Sequence, residues 1–186
     1  VKMKSLLSKV GEPKSFIMTM NAGSVPKNHW VHDSKIGGGR IVGEACHYID
    51  LMLFLSGSKI TSVSARSMGP SSAGKTNDDN ATITLGFEDG SFGTINYLSV
   101  GSKSYRKEFI EVFCSGGVLT LDNFKTLRGY DWFKFKVYRT LWQNKGQREC
   151  IGSFLGGLRT NTPPIPSDEL FEVSRVSLEV AKQLGN

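Results

Sequence analysis

Between Ile60 and Arg139 the chain is a succession of short segments punctuated by turn residues, and this pattern constrains the fold more than anything else in the sequence. Ile60 to Met68 alternates Thr61, Val63 and Ala65 with polar neighbours, which is the two-residue period of a half-buried strand. Ala81 to Phe87 and Ser91 to Val100 flank Glu88-Asp89-Gly90, and Phe109 to Cys114 and Val118 to Leu121 flank Ser115-Gly116-Gly117. Two strand-like runs on either side of a short glycine-containing turn read as a hairpin. Thr126 to Tyr130 and Trp132 to Arg139 add two further strands, the last with Phe133, Phe135 and Val137 on one face and Lys134 and Lys136 on the other.

Helical signals lie outside this run. Lys2 to Lys9 reads as the tail of a helix, and with Val1 in first place this predicts chain upstream. Ser15 to Ala22 reads as a strand and Gly23 to Gly38 as a polar loop. Gly39 to Leu55 reads as a helix closed by Gly57. Arg148 to Arg159 forms another, Pro163-Pro164 breaks it, and Ser167 caps the last one, with Asp168 and Glu169 in its first turn. Gly69 to Asn80, rich in Gly, Ser, Asn and Asp, reads as the most mobile loop. The sum is one α+β domain over residues 1–186: a largely antiparallel open sheet with helices packed on one face.

Composition narrows the function. A chain of 186 residues suits one domain, and no apolar run approaches the roughly 18 residues of a membrane span. Cys46, Cys114 and Cys150 are odd in number and widely spaced, which fits a reducing cytoplasm better than a disulfide framework. The formal charge of +6 raises nucleic acid as a partner, but the densest basic stretch has the two-residue period of a strand with a solvated outer face. No nucleic-acid partner is therefore expected. The alternative is a non-catalytic assembly or binding module that uses its sheet and this basic strand.

The chemistry concentrates in NHWVHDSKIGGGRIVGEACHYIDLMLFLSG, from Asn28 to Gly57. On a helix beginning near Gly39, Arg40, Glu44 and His47 fall on one stripe with Asp50 a turn beyond. A carboxylate near an imidazole stabilises its charged form and suits acid–base work near neutral pH. The same pair also suits a structural histidine bonded to Asp50, and the pattern alone leaves both roles open. Gly37-Gly38-Gly39 is not a dinucleotide fingerprint, because position 42 is Val and polar loop precedes it. His29 and His32 match no common zinc arrangement, so no metal is expected.

The stretch GGGRIVGEACHYIDLMLFLSG resembles the GGG-x-x-x-D-x-G-x-H-x-x-D-L signature of the glucose–fructose oxidoreductase, inositol dehydrogenase and MocA family. The Glu88-Asp89-Gly90 hairpin, IEVFCSGGVLTLDNF and PPIPSDEL resemble that family's C-terminal domain in the same order. The Glu-Ala-Cys-His version, with His-Trp-Val-His-Asp upstream, is similar to a branch fused to a zinc-type alcohol dehydrogenase module. The resemblance implies a substrate-binding half that acts on a sugar or other polyhydroxylated compound. NAD or NADP would be held mainly by an N-terminal Rossmann domain absent from this chain, and the sheet would form a homodimer. His47 matches the family's acid–base histidine, and Asp50 matches the aspartate after it. The family's other aspartate falls at Gly43, so its role is lost or passes to Glu44. Arg40, His29, Trp30 and Asn21, around the glycine-rich turn, are the candidates for substrate contact.

Overall fold

The computed structural model describes residues 1–26, 28–33, 36–69 and 79–185. The loop expected to be mobile lies mostly outside them. The described elements are α1 (Lys2–Leu7), β1 (Ser15–Asn21), α2 (Cys46–Ser56), β2 (Ile60–Ser67), β3 (Ala81–Phe87), β4 (Phe92–Leu98), β5 (Glu108–Cys114), β6 (Gly117–Asp122), β7 (Thr126–Tyr130), β8 (Val137–Arg139), α3 (Gln147–Thr160) and α4 (Ser167–Leu184). All eight strands form one sheet in the order β2-β3-β4-β1-β5-β6-β7-β8.

Every neighbouring pair is antiparallel except β1 and β4, which run parallel from Ser15↔Phe92 to Asn21↔Leu98. That exception positions the site. It brings the C-terminal ends of β1 and β4 to the same edge of the sheet, where β3 and β5 begin at Ala81 and Glu108.

Alternation along the strands sets the two faces. Phe16, Met18 and Met20 of β1, Ile83 and Leu85 of β3, Ile95 and Tyr97 of β4, and Ile110 and Val112 of β5 are buried. Met3, Leu6 and Leu7 of α1, Ile49, Met52 and Leu53 of α2, and Val176 and Val180 of α4 share their core. The other face is open. Across it, register aligns Phe92, Ser15, Phe113, Val118 and Tyr130, and Phe92, Phe113 and Tyr130 are exposed.

The edge strand β2 is protected by side chains of α4 rather than by another strand. Gln183 Oε1 accepts from the Ala65 amide at 2.7 Å, and Gln183 Nε2 donates to the Val63 carbonyl at 3.2 Å. Glu172 accepts from the Ile60 amide. Pairing these edge groups with side chains makes the edge a poorer template for another chain.

Three expectations need correction. Trp132 to Arg139 is not one strand: only Val137–Arg139 pairs with β7. Asp131 and Lys134 adopt positive φ (49° and 54°), and Trp132 and Phe135 turn back to pack on the core. Gly129 permits that turn, since a Cβ there would lie 2.8 Å from both Trp132 Cβ and the Phe135 carbonyl oxygen. Lys134 and Lys136 therefore do not share a strand face. Ser167 is the first helical residue of α4, not its cap. Pro166 is the capping residue, and no side chain bonds there. Finally, α3 has no buried residue and stands outside the core.

Candidate functional site

Helical backbone runs unbroken from Gly39 to Ser56 and ends at Gly57, but Ile41–Ala45 forms a π-helical turn. Such a turn carries more residues per revolution than an α-helix and often marks a functional site. Glu44 lies within it. Glu44 turns towards the end of β4, where the buried Tyr97 hydroxyl donates to its Oε2. Arg40 Nη2 donates to the same oxygen at 2.8 Å, and Arg40 Nη1 donates to the Gly23 carbonyl at 2.8 Å. Asp79 Oδ2 lies 3.6 Å from Arg40 Nη1 and 3.8 Å from His32 Nε2. The Arg40 guanidinium also lies 5.4 Å from the centre of the Tyr97 ring, a cation–π contact strengthened by burial.

These contacts fix the charge states. Burial pushes the Glu44 carboxyl up, but the Tyr97 and Arg40 hydrogen bonds, with the charges of Arg40 and Lys107, outweigh it and hold it below its ordinary value. Burial also opposes the Arg40 charge, yet Tyr97, Glu44 and Asp79 hold its pKa above the ordinary value. Burial and the Glu44 bond push the Tyr97 hydroxyl up, so it stays a donor. Glu44 is thus a fixed carboxylate.

His47 lies one helical turn beyond Glu44 and is exposed. Its imidazole makes no hydrogen bond among the described residues, so the expected stripe splits: Arg40 and Glu44 pair, and His47 stands free. Asp50 is not hydrogen-bonded to His47 and feels it only through its field. Partial desolvation raises the Asp50 carboxyl and the imidazole lowers it, leaving it above its ordinary value. Gly43 is exposed, with open space where a side chain would be.

The substrate-contact candidates divide similarly. Arg40 is buried and fully engaged. Asn21 Nδ2 donates to the Ser102 carbonyl at 2.7 Å and ties down the β4–β5 loop, while its Oδ1 is buried without a partner. His29 and Trp30 begin a 3-10 turn over Trp30–His32, in which His29 Nδ1 accepts from the Val31 amide at 3.3 Å. Trp30 is 61% exposed.

A second buried network borders the first. Glu108, at the start of β5, is 2% exposed. It accepts from the Tyr48 hydroxyl at 3.3 Å, from Gln143 Nε2 at 3.3 Å and from Lys145 Nζ. Tyr48 immediately follows His47, so this network anchors the same turn of helix. Sequence reasoning missed Tyr97, Asp79, Glu108 and Lys145. The available signal was a tyrosine and a glutamate at inward positions of apolar strands, since a buried polar group needs a partner.

Nothing described here forms a dinucleotide cradle. The Gly37 and Gly38 amides, which would face a phosphate, donate instead to the Asp33 carbonyl at 2.8 and 3.2 Å. Among the described residues, the Gly37–Gly38 turn therefore does not form a dinucleotide-binding loop. Among the described residues no helix is long and apolar enough to cross a membrane.

Comparison with known proteins agrees with this architecture. An oxidoreductase domain protein from Kribbella flavida matches 98% of the chain at 20% identity with a TM-score of 0.76. An NAD binding oxidoreductase from Klebsiella pneumoniae matches 99% at 19% identity and 0.76. A UDP-N-acetylglucosamine 3-dehydrogenase from Acidithiobacillus ferrooxidans matches 97% at 17% identity and 0.71. The chain covers 60%, 60% and 57% of these proteins, respectively. A search of curated proteins gave no match. The family profile described as GFO/IDH/MocA C-terminal domain matches residues 1–120, and the chain belongs to that family of oxidoreductase domains.

Proposed function

We propose that this chain is the substrate-binding half of an NAD(P)-dependent oxidoreductase acting on a sugar or other polyhydroxylated compound, with His47 as its acid–base residue. The observation that carries the reading is His47 itself. It matches the histidine of the family signature, is exposed, and keeps its imidazole free of hydrogen bonds among the described residues. An exposed imidazole without an internal partner is open to a hydrogen bond from a bound substrate. Glu44, the candidate to replace the aspartate lost at Gly43, is held as a carboxylate by Arg40 and Tyr97. Its role is to fix the turn before His47, not to exchange protons.

NAD or NADP would be bound by a separate Rossmann domain and supply the redox chemistry. The chain's own part is to seat the substrate and handle its proton. The apolar row Phe92, Phe113 and Tyr130 on the open face supports a homodimer through the sheet. The free Cys46, Cys114 and Cys150 suit a reducing cytoplasm. The basic-strand alternative loses its support with the break at Lys134.

The test is turnover by the full-length protein with NAD or NADP and a panel of polyols, read by nicotinamide absorbance. His47→Ala is expected to lower turnover by about 10²-fold with folding intact. Near-normal turnover in that variant overturns the assignment.

A further inference from the structure

Two segments far apart in the sequence meet on one buried atom. Glu108 Oε1 accepts from the Tyr48 hydroxyl at 3.3 Å and from Lys145 Nζ, while Oε2 accepts from Gln143 Nε2 at 3.3 Å. Burial, then the Glu108 charge, pushes the Tyr48 hydroxyl up, so it stays a donor. The backbone of Glu108 is pinned as well. Its amide donates to Asn123 Oδ1 at 2.9 Å, its carbonyl accepts from the Asn123 amide at 2.8 Å, and strand register sets it beside Met20.

His47 stands on one side of this junction. It is the second residue of α2, just past the π-helical turn. Tyr48, next to it, ties this first turn to Glu108 and to Met20 Sδ at 2.8 Å. On the other side run residues 140–146, which lead into α3 and whose Leu141 and Trp142 are 87% and 82% exposed. The helix α3 has 14 residues, none of them buried, and three are Gly152, Gly156 and Gly157. A helix so short is marginal without packing, and each glycine weakens it further. With Ile151, Phe154, Leu155 and Leu158 all exposed, α3 takes its place from its two tethers. One is the turn into α4, and the other is the grip of Gln143 and Lys145 on Glu108.

We infer that Glu108 is a positioning residue that couples α3 to His47. It holds the segment that carries α3 and the first turn of α2 on one oxygen, so the place of α3 and the direction of the imidazole are set together. The claim deepens the proposed function, on which its effect on turnover rests. Loss of Lys145 leaves Oε1 a buried charge with Tyr48 as its one donor. A buried carboxylate short of a partner is costly, so it draws on the donors that remain, and a shift of Tyr48 turns its neighbour. Misplacing a reacting group slightly costs much more in rate than in stability.

Coupling is reciprocal, so the test reads it from both sides in the full-length protein. In the first arm, ring-labelled histidine reports His47 by NMR, its signal identified by loss in His47→Ala. Lys145→Met should move that signal and leave those of His29 and His32 in place, and Lys145→Arg should restore it. In the second arm, Tyr48→Phe removes one hydroxyl from α2, and hydrogen exchange across residues 140–160 should rise by about fivefold or more. In the third, kcat with a polyol should fall about tenfold in both variants with KM nearly unchanged. Gln183→Leu, at the β2 edge, should keep the wild-type kcat. An unmoved His47 signal in Lys145→Met overturns the inference, and so does unchanged exchange in Tyr48→Phe, whatever the activity. Where the wild type turns over, an unchanged kcat in both variants, or an equal fall in Gln183→Leu, overturns it too, since the contacts would then serve stability alone. If Lys145→Met does not fold, the Tyr48→Phe exchange decides. Both couplings in a protein without polyol turnover sink the oxidoreductase reading alone, and full turnover in His47→Ala sinks the acid–base assignment alone.

Discussion

Tyr97→Phe isolates the bond that fixes Glu44. The ring, fully buried in β4, keeps its shape and its contact with Arg40, and only the hydroxyl is removed. Glu44 keeps Arg40 as a partner, so no buried charge is orphaned. A hydrogen bond to a charged group contributes about 1.5–3 kcal/mol. The Glu44 side chain is 45% exposed, and solvent screening brings the expected loss to about 1–1.5 kcal/mol, or about 2–6 °C in Tm for a domain of this size.

The pH dependence carries the sharper test. Glu44's folded pKa is depressed, so its stabilisation is present above the unfolded value of about 4.3 and is lost as pH falls through the folded value. Tyr97 is one cause of that depression, so the gap between wild type and variant should be full at pH 7 and close in acid. Urea titrations of both proteins from about pH 7 to about pH 3 measure it. A gap that persists unchanged into acid would mean that Tyr97 stabilises through packing alone, and the account of a locked carboxylate would be refuted.

The remaining predictions concern the framework. Lys145→Met leaves Glu108 buried with only Tyr48 and Gln143, and should cost about 2 kcal/mol, below the usual figure for a broken buried pair because Lys145 is partly exposed. Adding Glu108→Leu should recover part of that loss in calorimetry, and a double variant no more stable than the single one refutes the charge argument. Gln183→Leu frees the Val63 carbonyl and the Ala65 amide on the β2 edge. It should cost about 1 kcal/mol and raise light scattering on concentration, and unchanged scattering would show that the edge is guarded by something else.

Much of the fold was legible because its carriers are local. Ala81–Phe87 and Thr126–Tyr130 have the bounds their alternation predicted, and the Asp89-Gly90 turn fixes its hairpin through short-range geometry. The failures come from long-range forces. Phe133 and Phe135 alternate with lysines as in a strand, yet Trp132 and Phe135 find more burial by folding over Gly129 than by continuing the ladder. The parallel pairing of β1 with β4 joins residues nearly eighty positions apart, and no local signal announces it. At the site, Arg40 and Glu44 were readable as a helical pair. Tyr97 and Asp79 were not, because they arrive from β4 and from the turn before β3, whose places beside this helix depend on a strand order that the sequence does not print.

Gly43, which on the proposed reading stands where the family carries an aspartate, and the engagement of Glu44 by Arg40 and Tyr97 have a common consequence. Without a side chain at 43, no carboxylate at that position can face His47. Glu44 is instead held by Arg40 and Tyr97, whose two hydrogen bonds converge on one oxygen. A carboxylate held in this way is a poor base, because protonating it would cost both bonds their charge assistance. On the proposed reading, the acid–base duty of this domain therefore contracts to a single residue. Any partner that tunes the His47 imidazole must come from the substrate, from Asp50 through its field, or from the domain that brings the cofactor. Moving the carboxylate back with Gly43→Asp tests that division of labour. If His47 lacks a local partner, the new carboxylate should raise the imidazole pKa, because an opposite charge nearby favours the protonated form. An unmoved histidine titration by NMR would show that position 43 does not face His47, and the contraction would need another cause.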